Sequence, residues 1–512
     1  MSSQRPNILW IVTDQQRADH VGFGHNNVVR TPNLDRLAEN ATVFDRAYVA
    51  NPICMPNRCS MLTGRAPSAH GVIFNDRSLA WSANTLVRQL KNDGYSTALI
   101  GKSHLQHGLS RNSTVGNRKT PAMRDPYPSG WNTLEDQERY VSSTPAIEDF
   151  YGFEHVEFAL GHGDMVTGHH FRWAVENGAD PQALLTDNPG PQWPARQRSE
   201  HWWQVYQPTI DERHYSTTFV VERTIAKLEA LSRGQAPWCV EASFPDPHHP
   251  FTPPGNWYYR HKPEDMPVSD SFDDPLGDAP KHLKFIRSLS PGPMYVQMFG
   301  PTREQVQASM AAEFGMIEMI DSGIGKIYAA LERLGMADNT IVIFTSDHGD
   351  MFGDHGLMLK CCMHYQGCVR VPLFIALPGR SGTRTSALAS SMDLAPTILD
   401  LCGVDHFSDI QGRSLVPVLD DPATRVRDNV YIEEDFPNAV TMRGNMPLSV
   451  RTLITADYRL TRYSTGEVEL FNLAEDTREL TNLAAVDKTR KADLTDALAG
   501  AMIDHTNLAR AE

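Results

Sequence analysis

The chain has 512 residues, room by length for two or three domains, and its 41% hydrophobic content is ordinary for a globular core. Lysine and arginine number 47 against 62 aspartates and glutamates, a formal net charge of -15 that argues against a nucleic-acid or anionic-membrane partner. An anionic small substrate is not excluded, because a cation-lined pocket can be a small positive spot on an acidic surface.

Met1 to Pro6 is polar, and the apolar run Ile8 to Val12 is far shorter than a signal h-region or a membrane span, so the expectation is a soluble, cytoplasmic protein. Seven cysteines, Cys54, Cys59, Cys239, Cys361, Cys362, Cys368 and Cys402, are scattered without a CxxC pair. Neither a disulfide framework nor a thiolate zinc site is indicated.

In chain order, apolar runs of strand length occupy Asn7 to Thr13, Ser96 to Ile100, Cys239 to Phe244, Thr340 to Thr345 and Leu373 to Leu377, with helical patterns between them. Thr31-Pro32 opens one helix, Gly94 closes the segment Thr85 to Asp93, and Thr302 to Gly335 is a long amphipathic stretch. This alternation indicates an α/β fold, a large mostly parallel sheet flanked by helices. Residues 111–208, rich in Pro, Gly, Trp and His and poor in periodicity, read as a long insertion over the sheet edge. After about Arg425 come short β-rich runs, Ser449 to Thr455, Tyr458 to Tyr463 and Val468 to Asn472, then a helical tail from about Asp487. The expected division is therefore a catalytic α/β domain over 1–425 and a small antiparallel sheet plus helix over 426–512.

Ligands of open α/β sheets bind beyond the carboxyl ends of the strands, so the residues after each expected strand matter most. The first strand runs into Asp14-Gln15-Gln16, and the strand ending at Thr345 runs into Asp347-His348. Two carboxylates, an amide oxygen and an imidazole form a reasonable divalent-cation site. Gly101-Lys102-Ser103-His104 and Pro245-Asp246-Pro247-His248-His249-Pro250 add cationic groups and proton carriers beside it. Taken singly each is weak, since an aspartate after a strand is commonly a helix cap and a lone histidine is commonly structural. Their coincidence at one sheet edge is harder to dismiss.

The remaining piece is Cys54-Met55-Pro56-Asn57-Arg58, followed by Met61-Leu62-Thr63-Gly64. It resembles the sulfatase signature Cys-x-Pro-x-Arg with a following apolar pair and Thr-Gly. The resemblance continues through Thr345-Ser346-Asp347-His348-Gly349-Asp350, Gly353-Asp354-His355-Gly356-Leu357 and Lys360, down to Glu469-Leu470-Phe471-Asn472. Asn57 departs from the signature, which prefers Ser, Ala or Thr there. Gln15 and His348, where many sulfatases have Asp and Asn, resemble the cytoplasmic branch that contains choline sulfatase and the phosphonate monoester hydrolases.

The resemblance implies that a maturation enzyme oxidises Cys54 to formylglycine, whose hydrate offers two geminal oxygens. One attacks sulfur, and the second collapses the hemiacetal, expelling sulfate. It implies that Asp14, Gln15, Cys54, Asp347 and His348 hold one divalent cation, calcium by its oxygen ligands, with manganese or magnesium left open by His348. It implies that Arg58 steadies the diol, Lys102 and Lys360 bind the sulfate oxygens, His248 protonates the leaving group and His104 assists collapse. Asn75 matches an amide that touches the transferred group, or else is a loop cap.

The substrate so implied is a small-molecule sulfate ester, as for an arylsulfatase. The rival on the same site is a phosphonate monoester or phosphodiester, and Lys102 with His104 favour sulfate because phosphonate hydrolases of this branch carry uncharged hydroxyl residues there. A two-metal phosphatase would need a Ser or Thr nucleophile and a second ligand set, and no convincing second set is visible. A binding protein with unmodified Cys54 is the reading from a different class. Self-association is expected, as in the cytoplasmic relatives. Cys59, Cys361, Cys362 and Cys368, and also His169-His170 and Trp202-Trp203, are expected to pack.

Overall fold

The computed structural model describes residues 5–107, 134–145, 147–184, 190–293, 297–436 and 449–505. Residues 111–133 of the expected insertion lie outside them. In chain order the strands are β1 (Asn7–Thr13), β2 (Thr42–Tyr48), β3 (Ser96–Gly101), β4 (His155–Leu160), β5 (Thr167–Gly168), β6 (Ala195–Arg198), β7 (Tyr206–Pro208) and β8 (Trp238–Ser243). They continue with β9 (Thr340–Ser346), β10 (Leu373–Ala376), β11 (Thr383–Ser390), β12 (Asn429–Asp435), β13 (Ser449–Thr455), β14 (Tyr458–Tyr463) and β15 (Val468–Asn472).

Nine of them form one sheet in the order β11-β2-β10-β9-β1-β8-β3-β4-β5. The centre, β9-β1-β8-β3-β4, is parallel throughout. The run expected at Leu373 is there as β10, antiparallel to both of its neighbours, because the connection after β9 brings the chain back into the sheet from the same end. β4 extends the parallel edge from within the stretch read as aperiodic; its six residues are too short to give a periodic signal among the surrounding Gly- and aromatic-rich loops.

β1 is buried along its whole length, and its side chains alternate between two cores as the pleat requires. Ile8, Trp10 and Val12 enter one core, with residues of the helices Cys54–Thr63, Leu86–Asn92 and Leu394–Cys402. Leu9 and Ile11 enter the other, under the helices Pro32–Ala38, Ser216–Leu231 and Arg303–Arg333. Helices on both faces explain why the strand reads as a continuous apolar run. The long helix Arg303–Arg333 begins with a capping box, Thr302 accepting from the Gln305 backbone and the Gln305 side chain accepting from the Thr302 N–H.

β12 to β15 form a separate antiparallel sheet in sequence order. One face, with Val430, Ile432, Val450, Ile454 and Phe471, joins the core of the main sheet. The other, with Tyr431, Leu453, Leu460 and Leu470, is covered by Leu494, Leu498 and Ala501 of the terminal helix Lys488–His505. The fold is thus a mostly parallel sheet between helices with a small C-terminal antiparallel sheet, as the alternation of runs indicated. No helix among the described residues is long and apolar enough to cross a membrane.

At the site-facing end of β3, Gly101 has φ +113, and a Cβ built there would lie 1.8 Å from the Ser243 carbonyl oxygen of β8. Only glycine allows this approach of two strands. Gly101→Ala is expected to cost about 2–3 kcal/mol, read as a lower urea midpoint at unchanged slope.

Candidate active site

Asp14 and Asp347 follow the register-matched pair Thr13 and Ser346, at the carboxyl ends of neighbouring parallel strands. The backbone knits this edge together: Asp347 N–H donates to Thr13 O at 3.1 Å, Asp14 N–H to Asp246 O at 3.1 Å, and Lys102 N–H to Ser243 O at 2.9 Å. The loops after β1, β9, β8 and β3 therefore meet at one point. Both aspartates are fully buried.

Cys54 is the first residue of the helix Cys54–Thr63, every residue of which is buried. That position places the sulfur at the positive end of the helix. Its Sγ lies 3.1 Å from His348 Nε2, 3.3 Å from Lys360 Nζ and 3.9 Å from Asp14 Oδ1. Burial and Asp14 oppose ionisation, yet Lys102, Lys360 and His348 bring the thiol well below its ordinary pKa. Burial would likewise raise the Asp14 carboxyl, but Lys102, Lys360 and Arg58 hold it well below the usual carboxylate range. Lys102 Nζ is in direct contact with Asp14 Oδ2.

Arg58, one turn after Cys54, donates Nε to Asp347 Oδ2 at 2.7 Å and Nη1 to Ser243 Oγ at 2.8 Å. Its Nη2 has no hydrogen-bond partner among the described residues and lies 3.9 Å from Asp14 Oδ2. The guanidinium thus sits between the two carboxylates. Asn57, the departure from the signature, uses its longer side chain. Its Nδ2 donates to the Asp347 carbonyl at 2.6 Å, and its Oδ1 accepts from Ala50 N–H at 2.9 Å and Ser391 Oγ at 2.6 Å. It fastens the nucleophile helix to the loop after β9.

Gln15 has φ +64 and turns its amide inward. Its Oε1 accepts from Lys360 Nζ at 3.0 Å, and its Nε2 donates to Asp350 Oδ2 at 2.7 Å. His348 Nδ1 donates to the Gly349 carbonyl at 2.9 Å, which leaves the Nε2 lone pair facing inward. That Nε2 is 3.5 Å from one oxygen of Asp14 and 3.5 Å from one oxygen of Asp347. These spacings are those of the edges of a coordination shell with bonds of about 2.1–2.5 Å. Asp14, Cys54, Asp347 and His348 bring ligand atoms within 4.8 Å of one another, so the donor set fits a divalent cation.

His248 is buried, with Nδ1 donating to the His249 carbonyl. Burial holds its imidazole well below its ordinary pKa, and the same is true of His104, where Lys102 adds to the effect. His104 has φ +58, and its Nδ1 makes no hydrogen bond among the described residues. Asn75 Oδ1 accepts from Met55 N–H at 3.1 Å, at the first turn of the nucleophile helix. This contact steadies the start of that helix and is neither of the two roles expected of Asn75, a cap of its own loop or a touch on the transferred group.

Two groups near the centre carried no readable signal. Glu135 accepts from Ser103 Oγ and from the backbone N–H groups of His104, Leu105 and Gln106 at 2.9–3.0 Å, fixing the loop that carries Lys102 and His104. His162 reaches Lys102 Nζ at 2.7 Å, and its only sequence mark is a glycine on either side. The residues expected to pack do so. Cys59, Cys362 and Cys368 lie in the main core, His170 bonds the carbonyls of Val166 and His214, and Trp202 packs on Phe251 and Phe299. All seven cysteines are free.

A buried cysteine at a helix start, beside two lysines and a cation-ready cluster at the end of a parallel sheet, makes a site suited to an anionic ester. The sulfatase family model matches residues 6–404, and this chain belongs to the sulfatase family of sulfuric ester hydrolases. A second model, N-sulphoglucosamine sulphohydrolase, C-terminal, matches residues 353–507. Among curated relatives, the arylsulfatase of Clostridium perfringens is 27% identical over 490 residues, covering 94% of this chain and 90% of the relative. The choline-sulfatase of Rhizobium meliloti is 26% identical over 496 residues, covering 94% and 83%. In fold, the phosphonate monoester hydrolase of Agrobacterium radiobacter matches with a TM-score of 0.79 at 24% identity, covering 98% of this chain and 96% of that one.

Glu135 yields a test of the electrostatics. Burial pushes its carboxyl up from 4.5 to about 7 despite its hydrogen bonds. The folded state then binds the proton more tightly than the unfolded state, so stability is fully present below pH 4.5 and is lost as pH rises through about 7. Glu135→Gln, always neutral, should flatten this decline. Relative to the variant, the wild type should lose about 3 kcal/mol between those limits in urea melts at stepped pH. Parallel curves for the two proteins would refute the assignment.

Proposed function

We propose that the chain hydrolyses sulfate esters, in the manner of an arylsulfatase, with a nucleophile made from Cys54. The observation that carries this reading is the placement of Cys54 Sγ 3.3 Å from Lys360 Nζ and 3.1 Å from His348 Nε2, with Lys102 on Asp14 across the same centre. Two buried ammonium groups around a nucleophile are matched to an oxyanion.

Oxidised to formylglycine by a maturation enzyme, Cys54 supplies the hydrated aldehyde that a sulfate ester needs in place of a thiol. A divalent cation held by Asp14, Gln15, Asp347 and His348, whether calcium, manganese or magnesium, supplies positive charge that lowers the pKa of a nearby hydroxyl and draws charge from the ester oxygens. The protein's own groups do the rest. Lys360 and Lys102 hold the sulfuryl oxygens, and Arg58 fixes Asp347 beneath the nucleophile. His104, kept neutral by burial, accepts a proton. His248, also neutral at rest, gains its proton when the bound anion offsets its desolvation and passes it to the departing alcohol.

A phosphonate monoester or phosphodiester is the second reading, favoured by the Gln15 and His348 pair. Against it stand the cationic Lys102 and the imidazole His104 on their Glu135-bound loop. The reading also takes residues 1–425 as the catalytic unit, 426–512 as its C-terminal subdomain and the assembly as a homo-oligomer. Seven unpaired thiols suit the reducing cytoplasm.

Cys54→Ala is expected to abolish turnover of 4-nitrophenyl sulfate while leaving the melting temperature within a few degrees of the wild type. Intact-mass analysis of the wild-type Cys54 peptide should show the aldehyde, about 18 Da lighter than the thiol. Lys360→Ala should lower kcat/KM by about 10²–10³. Chelation should remove activity and lower the melting temperature, both restored by the correct cation. Faster turnover of phenyl phosphonate esters than of aryl sulfates would transfer the assignment to the second reading.

A further inference from the structure

The turn Gly161-His162-Gly163, between β4 and β5, is built to deliver one imidazole. Gly161 has φ +114, and a Cβ there would fall 2.3 Å from the Met165 carbonyl oxygen. Gly163 has φ +56, and a Cβ there would fall 2.7 Å from Thr252 Oγ1 and 2.9 Å from the Pro250 carbonyl oxygen. Neither neighbour of His162 can be anything but glycine without moving backbone. The next residue, buried Asp164, is pinned by Trp193 Nε1 at 3.1 Å and Tyr206 OH at 2.7 Å.

The ring that this turn presents stacks on His248, centroids 3.7 Å apart and planes 18° apart. Its Nε2 lies 2.7 Å from Lys102 Nζ and 3.6 Å from Asp14 Oδ2. An ammonium group has only donors, so the Nε2 lone pair accepts from Lys102 and the ring proton resides on Nδ1. One nitrogen of His162, one of His248, Cys54 Sγ and an Asp14 oxygen all lie within 4.8 Å of one another. The His162 side chain keeps 17% exposure, whereas those of Lys102 and Asp14 keep 4% and 0%. His162 therefore stands on the solvent side of this group.

We propose that His162 is a positioning residue for the sulfuryl-transfer site: it aims the Lys102 ammonium at the bound oxyanion and covers the ring of His248 on the leaving-group side. Lys102 has four rotatable carbons and one partner, Asp14, that draws it away from an incoming anion. A second acceptor at 2.7 Å, set beside Asp14 rather than opposite it, takes another of its protons and fixes the direction of the ammonium group. Stacking also fixes the plane of His248 and leaves it one direction in which to present Nε2. The inference rests on the sulfate-ester reading for the identity of the anion.

The test uses full-length enzyme whose conversion at Cys54 has been verified by mass. His162→Ala should lower kcat/KM for 4-nitrophenyl sulfate by about 100-fold, with weaker binding of the oxyanion tungstate by calorimetry. His162→Gln, which keeps an acceptor at similar reach, should retain more of both. Added imidazole should partly restore His162→Ala, because the site is open to solvent at that position. Equal losses in the two variants with no response to imidazole mark a merely structural role and overturn the proposal, as does an unchanged kcat/KM in His162→Ala. Should converted wild type turn over no ester, the sulfate reading fails by itself. Tungstate affinity then decides the role of His162, and equal affinity in wild type and His162→Ala overturns it.

Discussion

Two carboxylates buried side by side are the constraint from which the rest of the centre follows. Asp14 and Asp347 sit at the matched ends of β1 and β9, fully removed from water, where like charges repel strongly and burial penalises each. The fold meets that cost with cations of fixed position. Arg58 binds Asp347 and approaches Asp14, Lys102 binds Asp14, and Lys360 approaches from the loop after β9. The same pair of carboxylates, together with His348, makes the cluster suited to a divalent ion. Arg58 could serve neither aspartate if Cys54 did not begin a helix that carries it one turn inward, so the signature and the strand ends are a single device.

Holding those cations requires scaffolding well outside the sheet. The loop after β3 is tied by its backbone to Glu135, and the loop bearing Lys360 is tied to Asp350, whose Oδ1 accepts from Phe352 and Leu359 N–H groups. The small C-terminal sheet joins in through Glu434 of β12, which accepts from Cys362 N–H at 2.8 Å and faces His364, itself bonded to Thr452 of β13. Glu433, the residue before Glu434 in β12, is bonded through its backbone to the Ala50 carbonyl and the Asn51 side chain, just before the nucleophile. The Lys360 loop and the antiparallel sheet, both within the span 353–507 of the second family model, are thus bonded to each other.

The central strands were legible because burial on both faces forces unbroken apolar runs, and β1, β13, β14 and β15 have the bounds read from the chain. The residues at strand ends were legible because topology, not local chemistry, places them. β2 and β11, at the far edge, were not read, since polar residues such as Asp45, Arg46 and Arg384 interrupt their apolar pattern. Asn57 and Asn75 illustrate another limit. An amide can cap, clamp or bind, and only three-dimensional neighbours decide. Glu135 and His162 come from a stretch without period, and their proximity to Lys102 arises from loop closure that no spacing encodes.

The charges around Cys54 also connect maturation to binding. Lys102, Lys360 and His348 draw the Cys54 thiol well below its ordinary pKa against burial and Asp14, so the cations of the centre favour an anion at that point. On the proposed reading, conversion of Cys54 to a neutral aldehyde hydrate removes that anion without removing any cation. The positive charge then falls to the incoming ester, a monoanion whose oxygens face the same cations beside the diol. An unconverted chain would resist the same anion, because its own thiolate already occupies the field. Conversion therefore supplies the nucleophile and also empties the electrostatic site that the substrate must fill.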